Sequence, residues 1–100
     1  MRLSMFQHIV LFEVKKGTSQ EDVNRMLEAL RELAKFSEVA ELAAGPNYSP
    51  YNQCHTHGLV VRVKDRLVLQ SWESRPEVQN ALRDYCMPIC DSVCIADLGS

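Results

Sequence analysis

The segment Phe6-Gln7-His8-Ile9-Val10-Leu11-Phe12-Glu13-Val14 limits what this chain can fold into more than any other. It is rich in β-branched and aromatic residues and short enough to be a strand. Side chains alternate along a strand, so one face carries His8, Val10, Phe12 and Val14 and the other Gln7, Ile9, Leu11 and Glu13. Both faces are apolar in the middle, which predicts a central strand covered on both sides. The chain has 100 residues, 46% of them hydrophobic and 24% charged, enough for one modest core. The expectation is one domain over residues 1–100.

The remaining elements follow in order. Thr18-Ser19-Gln20-Glu21 reads as a capping box, with Thr18 as the cap and Glu21 reaching back. Val23, Met26, Leu27, Leu30, Leu33 and Ala34 then recur at helical spacing, predicting an amphipathic helix over 19–35 that lays one face on a sheet. A weak strand is expected over 39–44, a Gly/Pro/Asn-rich loop over 45–52 and a third strand over 56–63. Asp65 can cap a short helix carrying Leu69 and Trp72. Pro76 suits the first turn of another, with the stripe Val78, Ala81, Leu82 and Tyr85, ending at Pro88. A last strand is expected over 93–98. The order β-α-β-β-α-β is the split βαβ, ferredoxin-like arrangement: an α+β fold with a four-stranded antiparallel sheet and helices on one face. Helices on one side leave the other side of an oily sheet bare. A homodimer with two sheets facing each other across a barrel-like interior solves this.

Charge narrows the partners. Eleven basic and thirteen acidic residues give a net charge of −2, so neither a nucleic-acid binder nor a polybasic membrane binder is expected. No apolar run is long enough to span a bilayer, and Met1 to Ser4 lack an apolar export core, so the expected location is the cytoplasm. Cys54, Cys86, Cys90 and Cys94 are then reduced and mostly buried.

Several residues are candidates for chemistry. His8 and His57 lie among apolar neighbours; as a pair in a pocket they could polarise a carbonyl or deprotonate an acidic carbon. The alternative is a buried, hydrogen-bonded histidine that serves the fold. His55 and His57 share a strand face, but two ligands do not make a structural zinc site. Cys86, Cys90 and Cys94 read as small buried hydrophobes ahead of a redox or cluster site. Tyr48, Tyr51 and Trp72 could rim a pocket mouth, where aromatic side chains bind planar ligands well. Phe12, Leu59, Val78 and Tyr85 complete the expected ligand-binding set. Glu77 could act as a base if buried, or simply complement its helix dipole.

Five pieces in order resemble the stress-responsive A/B barrel (Dabb) family. They are His8-Ile9-Val10-Leu11-Phe12, Gly17-Thr18-Ser19, Gly45-Pro46-Asn47-Tyr48-Ser49-Pro50, Thr56-His57-Gly58 and Val93-Cys94-Ile95-Ala96-Asp97. The resemblance implies a tight homodimeric α+β barrel related to plant heat- and stress-associated proteins. One plant member is a polyketide cyclase that folds a linear polyketide without a cofactor. Members commonly carry His-Pro-x-His before the last helix; here the segment is Arg75-Pro76-Glu77-Val78, so Val78 stands where the cyclase's catalytic histidine would be, and Trp72 where its tyrosine would be. The resemblance also implies magnesium on the main-chain carbonyls of Leu33, Phe36 and Val39, a ligand set with no side-chain signature. The resulting expectation is a homodimeric stress-response protein whose barrel interior takes a small hydrophobic or aromatic ligand. The rival is a cofactor-free cyclase, isomerase or lyase using His8 and His57, with Glu77.

Overall fold

The computed structural model of the chain describes residues 5–99. The elements run β1 (Phe6–Val14), α1 (Gln20–Glu32), β2 (Val39–Pro46), β3 (His57–Val63), α2 (Arg66–Glu73), α3 (Pro76–Ala81) and β4 (Cys90–Leu98). The strands form one antiparallel sheet in the order β2-β3-β1-β4, the ferredoxin-like topology. The doubly apolar β1 is indeed central, flanked by β3 and β4.

Local departures have local causes. Ser19, not Thr18, caps α1: its Oγ accepts from the Asp22 amide at 3.1 Å, while the Thr18 hydroxyl donates to the Lys15 carbonyl. Gly17 supplies the positive φ (86°) of the turn between them. Strand β2 continues through Gly45-Pro46, because an edge strand tolerates a residue without an amide donor. Strand β4 begins three residues earlier than expected, at Cys90 rather than at 93. The helix after Pro76 keeps α geometry only to Ala81. A π turn over Leu82–Cys86 and a 3₁₀ turn over Met87–Ile89 then hand the chain to β4.

The two sheet faces differ. On the helix side Val10, Phe12, Leu59, Val61 and Val63 pack against Met26 and Leu30 of α1 and Leu69 and Trp72 of α2, all at most 5% exposed. The opposite face carries Ile9, Leu11 and Val60, partly buried, with Ala43, Cys94, Ala96 and Leu98 exposed around them. No element covers that face among the described residues. Gly58 lets Leu11 lie flat across it: a Cβ there would come within 3.3 Å of Leu11 Cδ2.

A polar strut fixes the helices over the sheet. Arg75, the residue before α3, donates from Nε to both Glu38 carboxylate oxygens at 3.0 and 3.1 Å, and the Ser71 hydroxyl donates to the same carboxylate. The Arg75 guanidinium also lies 4.3 Å from the Phe36 ring centroid. These contacts hold the Glu38 carboxyl below its usual pKa, the Arg75 hydrogen bond being the main cause.

Candidate functional site

A cavity of about 520 Å³ opens between the sheet and the helices. Its floor is Val10, Phe12 and Leu59, and its far wall is Leu30 and Leu33 of the first helical segment. Trp72 and Val78 close it from above, and Val93 and Ile95 of β4 stand exposed at its mouth. The cavity exists because α2 packs over β1 and β3 while β4 stays exposed at the sheet edge. The indole Nε1 donates to the Leu33 carbonyl at 3.3 Å, which locks the Trp72 ring in place. The cavity lies on the helix side of the sheet.

One polar cluster interrupts this apolar lining. His8 on β1 is 5% exposed and lies opposite Asp97 on β4. Its Nδ1 is 2.6 Å from Asp97 Oδ1, and its Nε2 is 3.6 Å from Oε2 of Glu73, the last residue of α2. The ring stands edge-on to Trp72, centroids 6.2 Å apart. A carboxylate can only accept, so Nδ1 donates to Asp97 and Nε2 is left facing Glu73 and the cavity. That is the arrangement of an oriented histidine base, with a carboxylate fixing the tautomer.

The candidate residues divide between the cavity and elsewhere. Phe12, Leu59, Trp72, Val78 and His8 line the cavity. His57 does not: it pairs with Phe12 while His8 pairs with Val61, so the two histidines are four registers apart, roughly 13 Å along the strands. They do not form a catalytic pair. His57 Nδ1 contacts the Thr56 hydroxyl at 2.8 Å, and burial lowers its pKa. Glu77 is exposed in the first turn of α3, outside the cavity; the acid that enters is Glu73, one turn earlier. Tyr48 is 88% exposed beside a shallow groove on the bare face, and Tyr85 is exposed on the helical surface. Neither touches the cavity.

Two further expectations concern the thiols and magnesium. Cys86 and Cys90 line the cavity, but desolvation pushes the Cys86 thiol up to about 12 and raises Cys90 as well, so neither is a ready nucleophile. Cys54 and Cys94 are exposed, unlike the buried reading. Of the three carbonyls that the resemblance assigns to magnesium, those of Leu33 and Phe36 each accept one hydrogen bond, which leaves each a second lone pair. Trp72 Nε1 donates to Leu33 and the Val39 amide to Phe36, while Lys35 and Arg75 bring positive charge to the Phe36 ring. Glu38, the carboxylate of that turn, is spent on Arg75 and Ser71.

Asp97 and Glu73 are the site residues that sequence reasoning missed. Asp97 had a signal: it shares its β4 face with Val93 and Ile95, the one acid in an apolar alternation. Only the β1–β4 register shows that it meets His8.

The stress responsive A/B barrel domain (Dabb) family model matches residues 6–100. A stress-response A/B barrel domain-containing protein of Arabidopsis thaliana is 26% identical over 94 residues, 93% of this chain. The chain spans 36% of that relative's length, about a third. A dimeric ferredoxin-like protein of unknown function from Thermobifida fusca YX matches with a TM-score of 0.84 and 17% identity, covering 99% of this chain and 93% of that one. A hydroxynitrile lyase from Passiflora edulis matches with a TM-score of 0.85 and 16% identity, covering 96% and 93%. At these identities the two structures share the fold.

Proposed function

The chain belongs to the stress responsive A/B barrel domain family, and on that footing we propose that it works as a homodimer in which each copy binds a small hydrophobic or aromatic molecule and exchanges a proton with it through His8. One observation carries this reading: a 5% exposed histidine at an apolar cavity, held from behind by Asp97 at 2.6 Å. Nε2 takes a proton from a hydroxyl or an acidic carbon and returns it later, and the transient imidazolium stands between two carboxylates. Such chemistry needs no cofactor. Cleavage of a hydroxynitrile is one reaction it fits. The hydroxyl proton passes to Nε2, the carbonyl forms, the bond to the nitrile carbon breaks and cyanide leaves. The Passiflora edulis lyase of the same fold brings that class into the test, although fold alone transmits no activity. The bare apolar face, and the dimeric state named for the Thermobifida fusca neighbour, support pairing through the sheets. Four free thiols suit a reducing compartment, and we assign the protein to the cytoplasm.

The test is turnover of hydroxynitriles and poly-β-ketones by wild type and His8→Ala. A positioned acid–base group contributes about 10²–10⁴-fold, and a loss of that size is expected. Equal turnover in both proteins removes His8 from the chemistry. A second reading, binding without turnover, is favoured by Val78, which puts an apolar wall where the family resemblance expects a histidine. Ligand-dependent change in Trp72 fluorescence without product distinguishes it.

A further inference from the structure

We propose that the cavity selects hydrophobic primary amines, seating the ammonium between His8 Nε2 and Glu73; this rests on the small-molecule reading above and names its ligand class. Donors and acceptors are unequally matched at this end of the cavity. Asp97 fixes the Nδ1 proton at 2.6 Å, so Nε2 of the neutral ring is an acceptor. Glu73 Oε2, an acceptor when ionised, lies 3.6 Å away, too far for a hydrogen bond to the ring. With the ring neutral, two acceptors therefore face each other across a gap that none of the described residues bridges. The one hydroxyl among the cavity-lining residues described, that of Ser92, already donates to Glu13 at 2.7 Å. No lysine or arginine is among the cavity-lining residues described.

A carboxylate or phosphate entering this end meets acceptors and negative charge. An alcohol has one proton and satisfies one of the two groups. A primary ammonium has three N–H donors, satisfies both, and makes a charge-assisted bond to Glu73. Its apolar tail then lies on Val10, Phe12 and Leu59. In that seat the ammonium donates one N–H to Nε2 and keeps its charge, so the event is binding and no proton is transferred.

The probes are 2-phenylethylamine, 2-phenylethanol and phenylacetate, read through Trp72, the sole tryptophan and part of the cavity wall. Wild type is expected to bind the amine about tenfold tighter than the alcohol, the margin of one charge-assisted hydrogen bond, with phenylacetate weakest. Glu73 is half exposed, so Glu73→Gln should fold; it is expected to bring the amine to the level of the alcohol. Asp97→Asn, which frees the ring tautomer, is expected to narrow the same preference. The inference is overturned if phenylacetate binds as well as the amine, or if Glu73→Gln keeps the amine preference. If none of the three perturbs Trp72 at millimolar concentration, the small-molecule reading falls and takes this inference with it.

Discussion

The two faces of the sheet are built from the same strands, one residue apart, and they do opposite work. Along β1, Val10 and Phe12 turn to the helices and are 5% and 1% exposed, while Ile9 and Leu11 turn to a face no helix covers. On the helix side the cover falls furthest short at β4, where Val93 and Ile95 remain 51% and 58% exposed; that shortfall is the mouth of the cavity. On the other side the cover is missing altogether. An uncovered corner leaves a cavity; an uncovered apolar face is the kind of surface a partner can cover. If this contrast holds, substitutions on the bare face act on association, and substitutions one residue along act on the fold.

The largest expected effect is on the bare face. In the proposed dimer, Leu11→Asp places a carboxylate inside the symmetric interface, once from each copy, at several kcal/mol per buried ion. The dimer should weaken by roughly 1,000-fold or more, giving a folded monomer by sedimentation at micromolar concentration. Thiol labelling sharpens the result, because Cys94 lies directly opposite Leu11 in the register. In the wild-type dimer only Cys54 should label quickly; in Leu11→Asp, Cys94 should join it. Cys86, buried and with its thiol raised to about 12, should stay unlabelled in both until the chain unfolds. A wild type that sediments as a monomer, with Cys94 open to reagent, breaks the comparison.

Next in size is the neighbouring residue on the helix side. Phe12→Ala removes a 1% exposed ring from the cavity floor and core, and is expected to cost about 3–5 kcal/mol in denaturant unfolding. If the copies pair through the bare face alone, the part of this loss that does not change with protein concentration should dominate. A Phe12→Ala chain that unfolds normally but no longer dimerises would reverse the assignment of the two faces.

The fold was largely legible because each element carries its own period, and β1 announces its central place by being apolar on both sides. The apolar part of the site followed from the same alternation: Phe12 and Leu59 reach the cavity as inward positions of β1 and β3. Its polar part did not. His8 and Asp97 are 89 positions apart and meet only through the β1–β4 register, which no local pattern in the sequence specifies. Glu77 and Glu73 look interchangeable in sequence, yet the break at Ser74-Arg75 between α2 and α3 leaves one in solvent and the other at the cavity. Tyr48 and Tyr85 show the converse. An aromatic ring near a pocket in sequence says nothing about which surface it occupies.

The smallest effect separates the two histidines that share the helix-side face. Burial lowers the His57 pKa from its ordinary 6.5, so the unfolded chain binds a proton that the folded chain refuses. That contribution to stability is full above pH 6.5 and is lost as the pH falls through 6.5 towards the lower folded value. The ring is only part-buried and screened by water, so the loss should be roughly a few tenths of a kcal/mol, or about 1–3 °C in melting temperature. Wild type should therefore lose more stability between pH 7.5 and 5.5 than His57→Gln, and taking that difference cancels the titration of groups common to both proteins. Catalysis or amine binding should be untouched by His57→Gln, because the ring lies outside the cavity, four registers from His8. A His57→Gln protein that loses turnover as severely as His8→Ala would mean that the helix-side face works as one extended site rather than a cavity at one end.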